Sequence, residues 1–258
     1  KKKWETKLYQ CYDLIGEAAG KVKIRKSIDK PEKSKSRVVF SRPTSSGKDR
    51  VSIKIHENSA KPEIPFIVLN SALLHEKKYE KELFGEEYNN GDISFGILEK
   101  ANKGTLLIDE VSEIPLETQA SILRVLIDQK FRRINGKNDV NVNIRIITST
   151  SKDLNQLCSE GDFREDLYHR LGVILLHVPS LNDRKDDIPI LANYFLEQLC
   201  QDHGVAQKSF DATALDELKK VDWTGNIREL RNIIERLIIL CDDVVTAADI
   251  KMYANPKI

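Results

Sequence analysis

From Val38 onward, short apolar runs alternate with longer stretches in which apolar residues recur every three or four positions. A short continuous apolar run suits a buried strand, and the longer period suits an amphipathic helix. On this basis strands are predicted at about 37–41, 65–69, 104–108, 143–149 and 172–178. Helices are predicted at about 48–58, 77–84, 94–101, 115–128 and 153–158. Strands alternating with helices imply β-α-β units and a parallel sheet, hence an α/β fold. Phe131 to Val142 reads instead as a β-hairpin, with its turn at Asn135-Gly136.

After Pro179 the strand pattern stops. Helical periodicity then runs through about 187–202, 211–220, 225–241 and 246–254. The interruption between Pro179 and Pro189 therefore predicts a domain boundary. The expected organisation is a linker and lead-in at 1–36, an α/β domain at 37–180 and a small all-helical domain at 181–258. Within the lead-in, Trp4, Leu8, Tyr12 and Ile15 fall at helical spacing, so a short helix is expected there.

Composition narrows the class. The chain has 258 residues, 40% hydrophobic and 31% charged, with a net charge of +1. These values suit a globular chain and carry no overall nucleic-acid signature. The first 36 residues do hold ten lysines and Arg25 against five acids, which reads as a solvated linker ahead of a DNA-touching patch. No apolar run approaches the ~20 residues of a membrane helix, so no membrane partner is expected. Cys11, Cys158, Cys200 and Cys241 lie far apart and match no zinc spacing, which points to a reduced, cytoplasmic chain.

The first candidate chemistry follows the run Val38-Val39-Phe40. Ser41-Arg42-Pro43-Thr44-Ser45-Ser46-Gly47-Lys48-Asp49 leads from a strand into a helix, the layout of a phosphate-binding loop. In such a loop backbone N–H groups and a helix N-terminus converge on phosphate oxygens, and a lysine adds a point charge. The candidates here are Ser45, Ser46, Gly47, Lys48 and Asp49. Arg42 and Ser45 stand where that pattern has glycine, and a non-glycine residue in a left-handed conformation costs roughly 1–3 kcal/mol. Weakened nucleotide binding is the expectation. Taken alone, Gly47-Lys48 is equally compatible with an ordinary helix start.

The second candidate is Gly104-Thr105-Leu106-Leu107-Ile108-Asp109-Glu110, an apolar strand ending in two acids. Ligands sit at the carboxyl ends of strands in open α/β sheets. Asp109 there would hold Mg²⁺, mostly through water, and Glu110 would orient or deprotonate an attacking water. The plainer reading is that acids end a buried strand because they are solvated.

Four motifs in order carry a more specific signal. They are Glu82-Leu83-Phe84-Gly85, Gly104 to Glu110, Phe163 to Leu171, and Trp223-Thr224-Gly225-Asn226-Ile227-Arg228-Glu229-Leu230. This series resembles the central AAA+ domain of bacterial enhancer-binding proteins, the sigma-54 activators, and in particular the NtrX type of two-component response regulator. The likeness covers about residues 13–250. It implies a three-layer α/β/α P-loop domain with a five-stranded parallel sheet, followed by a helical lid. It also implies ATP or ADP as ligand, Mg²⁺ as cofactor, and a ring or dimer-based oligomer as the working form.

The resemblance assigns further roles. Lys48 corresponds to the Walker A lysine, and Asp109 with Glu110 to the Walker B pair. Asn70 stands where the family restrains the catalytic glutamate. Thr150 and Ser151 occupy the sensor I position, where the family has Thr-Asn. Arg164 and Arg170 match arginines that reach a neighbouring subunit's nucleotide, although spacing alone would make them surface partners of Glu165 and Asp166. Arg228 matches the sensor II arginine of the lid. A sensor histidine kinase and DNA are the partners expected for the whole regulator, through receiver and helix-turn-helix regions outside this sequence.

The sequence departs from the family at two places. Glu86 to Ser94 replaces the Gly-Ala-Phe-Thr-Gly-Ala loop that contacts sigma-54, and is too short and polar to hold that tip. An Asn-Asn-Gly turn is expected there, linking two helices. Work with sigma-70 RNA polymerase is then the better expectation. The substituted phosphate loop is the other departure, and it implies a weak ATPase at most. The competing expectation is an oligomerisation scaffold that is nucleotide-free or locked with ADP.

Overall fold

A computed structural model describes residues 37–41, 52, 56, 64–74, 78–172, 174–177 and 179–254. The chain forms two compact units, which part between His177 and Val178.

The first unit is built on a five-stranded sheet. Its strands are β1 (Val38–Ser41), β2 (Phe66–Asn70), β5 (Thr105–Asp109), β8 (Arg145–Thr150) and β9 (Ile174–His177). Their order is β2-β5-β8-β1-β9, and all neighbours pair in parallel. This is the sheet expected from the alternating pattern. β5 and β8 are buried along their whole length, which is why they read as near-continuous runs without the alternation of a half-exposed strand.

Helices pack on this frame. α1 spans Tyr79–Phe84, α2 Ile97–Lys100, α3 Leu116–Asp128, α4 Leu154–Glu160 and α5 Glu165–Leu171. α3 buries Thr118, Gln119, Ile122, Val125 and Leu126, a stripe three and four residues apart. It ends where Gln129 turns into the left-handed region, at φ 52°. α4 begins where the Asp153 carboxylate accepts from the N–H groups of Asn155 and Gln156, and ends at Gly161, φ 83°. The core of this unit joins Leu106, Ile108 and Ile146 of the sheet to Leu83, Ile122, Val125 and Leu167 of the helices.

Two hairpins project from the frame. β6 (Lys130–Arg132) and β7 (Asp139–Asn141) pair antiparallel, with Asn135 at φ 60° in the connection, as the Asn-Gly signal indicated. The other hairpin corrects the sequence reading. β3 (Gly85–Glu87) pairs with β4 (Ile93–Phe95), so the Asn90-Gly91 turn closes a hairpin and does not link two helices. The helix expected over 94–101 shrinks to α2. The reason is close backbone approach at two glycines. Gly85 adopts φ 74°, and a Cβ on Gly96 would lie 2.3 Å from the Leu83 carbonyl oxygen. α5 was a further omission from the periodicity reading.

The second unit is mainly helical. α6 (Ile188–His203), α7 (Ala212–Leu218), α8 (Asn226–Leu240) and α9 (Ala247–Tyr253) surround Trp223, Phe195, Leu230 and Leu237. α7 is capped by Asp211, whose carboxylate accepts from the Ala214 N–H. α9 opens with a reciprocal capping box between Thr246 and Asp249. The unit is not wholly helical, because β10 (Ser209–Phe210) and β11 (Val244–Val245) form a short parallel pair.

Candidate functional site

Three strand ends of the parallel sheet converge on the predicted acids. Asn70, the last residue of β2, pairs in register with Asp109, the last residue of β5. On the other side Ile108 pairs with Thr148 of β8, which sets Ser149 beside Asp109. Parallel strands bring these positions together because every chain in the sheet exits at the same edge.

Asp109 and Glu110 are 9% and 8% exposed, so both are buried acids whose environment must satisfy them. The Ser149 hydroxyl donates to Asp109 Oδ1. The Ser151 amide and hydroxyl both donate to Glu110 Oε2, each at 2.9 Å. Glu110 itself stands at φ 56°, ψ 59°, in the left-handed region. That conformation is uncommon outside glycine and costs of order 1–3 kcal/mol, a strain that concentrates at functional sites. It turns the chain sharply out of β5 into the short 3-10 turn Val111–Glu113. At the end of that turn, Glu113 pairs with Lys152 at 2.8 Å, and this bond holds the Lys152 ammonium above its ordinary range.

The other expected residues fall out differently. Asn70 makes no hydrogen bond to Glu110, and its Oδ1 is buried with no partner among the described residues. Ser151 makes the contact to Glu110 that the resemblance implied for Asn70. The Thr150 hydroxyl is used within its own turn, accepting from Lys152 N–H at 3.1 Å and donating to Lys152 O at 3.2 Å. Arg164 precedes α5 and forks onto Asp166, with Nε at 3.0 Å and Nη2 at 2.7 Å, which pushes the guanidinium's pKa up. Arg170 lies exposed in the last turn of α5 with no acid partner among the described residues.

In the helical unit, Arg228 is exposed in the first turn of α8. The preceding Trp-Thr-Gly-Asn motif has structural work to do. Trp223 is fully buried and its Nε1 donates to Leu218 O at 3.0 Å. The buried Asn226 side chain accepts from Leu181 N–H at 2.8 Å. Arg42, Ser45, Ser46, Gly47, Lys48 and Asp49 lie outside the described residues.

Ser149 is the site residue that the sequence reading missed. β8 reads Arg-Ile-Ile-Thr-Ser-Thr, and residue type alone does not set Ser149 apart from the hydroxyls on either side. No group of three or more His, Cys, Asp or Glu able to hold a metal occurs among the described residues. The acid pair is still a fitting donor set for a hard cation that takes its remaining ligands from phosphate and water. No helix among the described residues is long and apolar enough to cross a membrane.

Comparison with known proteins places this geometry in a family. The sigma-54 interaction domain family matches residues 14–177, and the AAA+ ATPase lid domain family matches residues 182–257. The nitrogen assimilation regulatory protein NtrX of Azorhizobium caulinodans is 39% identical over 93% of this chain and 54% of the relative. A putative NtrX-like response regulator of Rickettsia typhi is 40% identical over 92% of this chain and 50% of the relative. The chain thus spans about half the length of these curated relatives. The crystal structure of NtrX from Brucella abortus in complex with ATP aligns with a TM-score of 0.89 at 37% identity, covering 98% of this chain and 60% of that one. The same protein in complex with ADP aligns at 0.86 and 38% identity, covering 96% and 56%. The chain belongs to the sigma-54 interaction domain family, as an AAA+ domain with its lid of the NtrX/NtrC response-regulator type.

Proposed function

We propose that this chain is the nucleotide-binding, self-associating core of a two-component transcription regulator. The observation that carries the reading is the pair Asp109 and Glu110, buried at a parallel strand end, with Glu110 in a strained backbone and held by Ser151. Strain and buried charge at the edge where α/β sheets bind ligands have no comparable use in a plain scaffold. The Brucella relative crystallised with ATP and with ADP supports the same ligand class.

In this reading Lys48 and the amides around Ser45, Ser46, Gly47 and Asp49 cradle the phosphates. Asp109 holds Mg²⁺ chiefly through water, and the cation supplies charge neutralisation between the phosphates. Glu110, held by Ser151, orients the attacking water, and Asn70, whose buried Oδ1 has no partner among the described residues, is the residue proposed to restrain it when nucleotide is bound. Thr150 supports that end of β8 through its turn. Arg164 and Arg170 act on the nucleotide of a neighbouring subunit, so that turnover depends on assembly. Arg170 is the better placed, being exposed and without an acid partner among the described residues. Arg228 supplies a further guanidinium from the lid.

The boundaries proposed are 1–36, 37–180 and 181–258. A sensor histidine kinase and DNA engage other parts of the full regulator. The closed hairpin of β3 and β4 ends in the polar turn Tyr88-Asn89-Asn90-Gly91-Asp92. That hairpin exposes Tyr88, Ile93 and Phe95 but is shorter than the sigma-54 loop, and action with sigma-70 RNA polymerase in the cytoplasm is part of the proposal.

Arg42 and Ser45 favour a second reading, an assembly scaffold that is nucleotide-free or ADP-locked. Titration calorimetry with ATP plus Mg²⁺ and with ADP separates the two. Saturable heat that disappears in Lys48→Ala is the expected result. An absence of heat for both nucleotides, with Lys48→Ala indistinguishable, would establish the empty scaffold. Heat for ADP alone, with no phosphate release from ATP, would establish the locked one.

A further inference from the structure

We infer that Ser149 is a positioning residue for the divalent cation, through its grip on Asp109. The inference deepens the proposed nucleotide reading and rests on it.

β8 lies between β5 and β1, and its last three residues, Thr148, Ser149 and Thr150, are at most 1% exposed. A fully buried strand gains nothing from hydroxyls unless they have partners. Thr150 uses its own on the Lys152 turn, and Thr148 Oγ1 has no partner among the described residues. Ser149 differs from both, because its hydroxyl is spent on a carboxylate. It donates to Asp109 Oδ1, from a strand that the sheet register locks beside β5. The bond does two things to that carboxylate. It restricts the rotation of the group, and it engages one of its two oxygens. Without this donor the carboxylate loses one of the contacts that orient it toward a cation. Partners of metal-binding carboxylates typically contribute about tenfold or more to metal affinity.

The neighbouring pair makes the contrast. Ser151 holds Glu110, which is expected to address water, and Ser149 holds Asp109, which is expected to address the cation. The two serines on one strand end thus divide the acids between them. Removing Ser149 should affect cation dependence and leave the affinity for metal-free nucleotide in place.

The test measures ATP affinity of the whole chain by calorimetry, once with Mg²⁺ and once with excess chelator, and repeats both with Mn²⁺ as the cation. In the wild type the cation strengthens ATP binding. In Ser149→Ala that gain falls by about tenfold, affinity in chelator stays within about twofold, and Ser149→Thr restores the gain. Ser149→Cys, which keeps the volume and removes the strong donor, repeats the Ala result and guards against a packing artefact. A full cation gain in both Ala and Cys variants would overturn the inference and leave nucleotide binding standing. So would a wild type that binds ATP equally with and without cation. A wild type that binds ATP under neither condition would overturn the nucleotide reading and this inference together.

Discussion

β8 and α8 are both buried elements at the heart of their units, and they are built on opposite rules. α8 buries Ile227, Leu230, Ile233, Ile234, Leu237 and Ile238 along one stripe and leaves Arg228 outside. Its burial follows from a 3.6-residue period, and each buried side chain is apolar apart from Asn226 at the start. β8 follows the buried Arg145 with Ile146 and Ile147, then places three hydroxyl residues in full burial. Burial in the helix is accounted for by transfer of apolar surface from water. Burial in the strand end requires partners, and two of the three hydroxyls have them. Departure from the local rule therefore marks the chemistry, and adherence to it marks the scaffold.

The contrast can be broken or sharpened by substitution. Trp223→Ala should have the largest effect, because a fully buried indole with a satisfied Nε1 leaves a cavity and an orphaned Leu218 carbonyl. About 3–5 kcal/mol of stability should be lost in denaturant unfolding followed by circular dichroism. A loss under about 1 kcal/mol would mean that the helical unit does not depend on its apolar centre. Glu110→Gln should act in the reverse manner. ATP turnover should fall by about 100-fold or more, equivalent to about 3 kcal/mol of barrier, with nucleotide affinity and unfolding little changed. If instead stability collapsed while turnover per folded chain held, Glu110 would belong to the scaffold.

Smaller effects are expected at two further positions. Asp211→Ala removes the carboxylate that caps α7 and should cost about 1 kcal/mol, and Asp211→Asn should recover most of it. Equal losses in both variants would show that charge outweighs the cap. Thr148→Val keeps shape and deletes a buried hydroxyl that has no partner among the described residues. A gain of up to about 1 kcal/mol in thermal unfolding is expected. Destabilisation would show that all three hydroxyls of β8 are needed, and that Ser149 is not exceptional.

Much of this architecture can be read in the chain. The five strands fall within a residue or two of the apolar runs, because strands that lie largely inside an α/β layer are rich in apolar residues. α3, α6 and α8 are legible for the complementary reason, a stripe at helical spacing. The β3–β4 hairpin was not legible. Ser94 to Ala101 carries a passable helical pattern, and only the approach of Gly96 to the Leu83 carbonyl keeps its first residues extended. α5 is short, and its buried residues Leu167 and Leu171 give one repeat of the period. At the site, Asp109 and Glu110 stand out as acids ending an apolar run. Ser149 does not, since a serine looks alike whether it faces a carboxylate or solvent.

What the chain determined alone is the order of elements and the candidates for phosphate and cation chemistry, because both depend on residue type and on spacing within a few turns. What tertiary structure decided is which of those residues meet. Asn70, Asp109 and Ser149 lie tens of residues apart and become neighbours through the register of three parallel strands. The grip of Ser151 on Glu110 depends on hydrogen-bond directions at that edge. Such directions arise from packing between distant segments, and no local pattern encodes them.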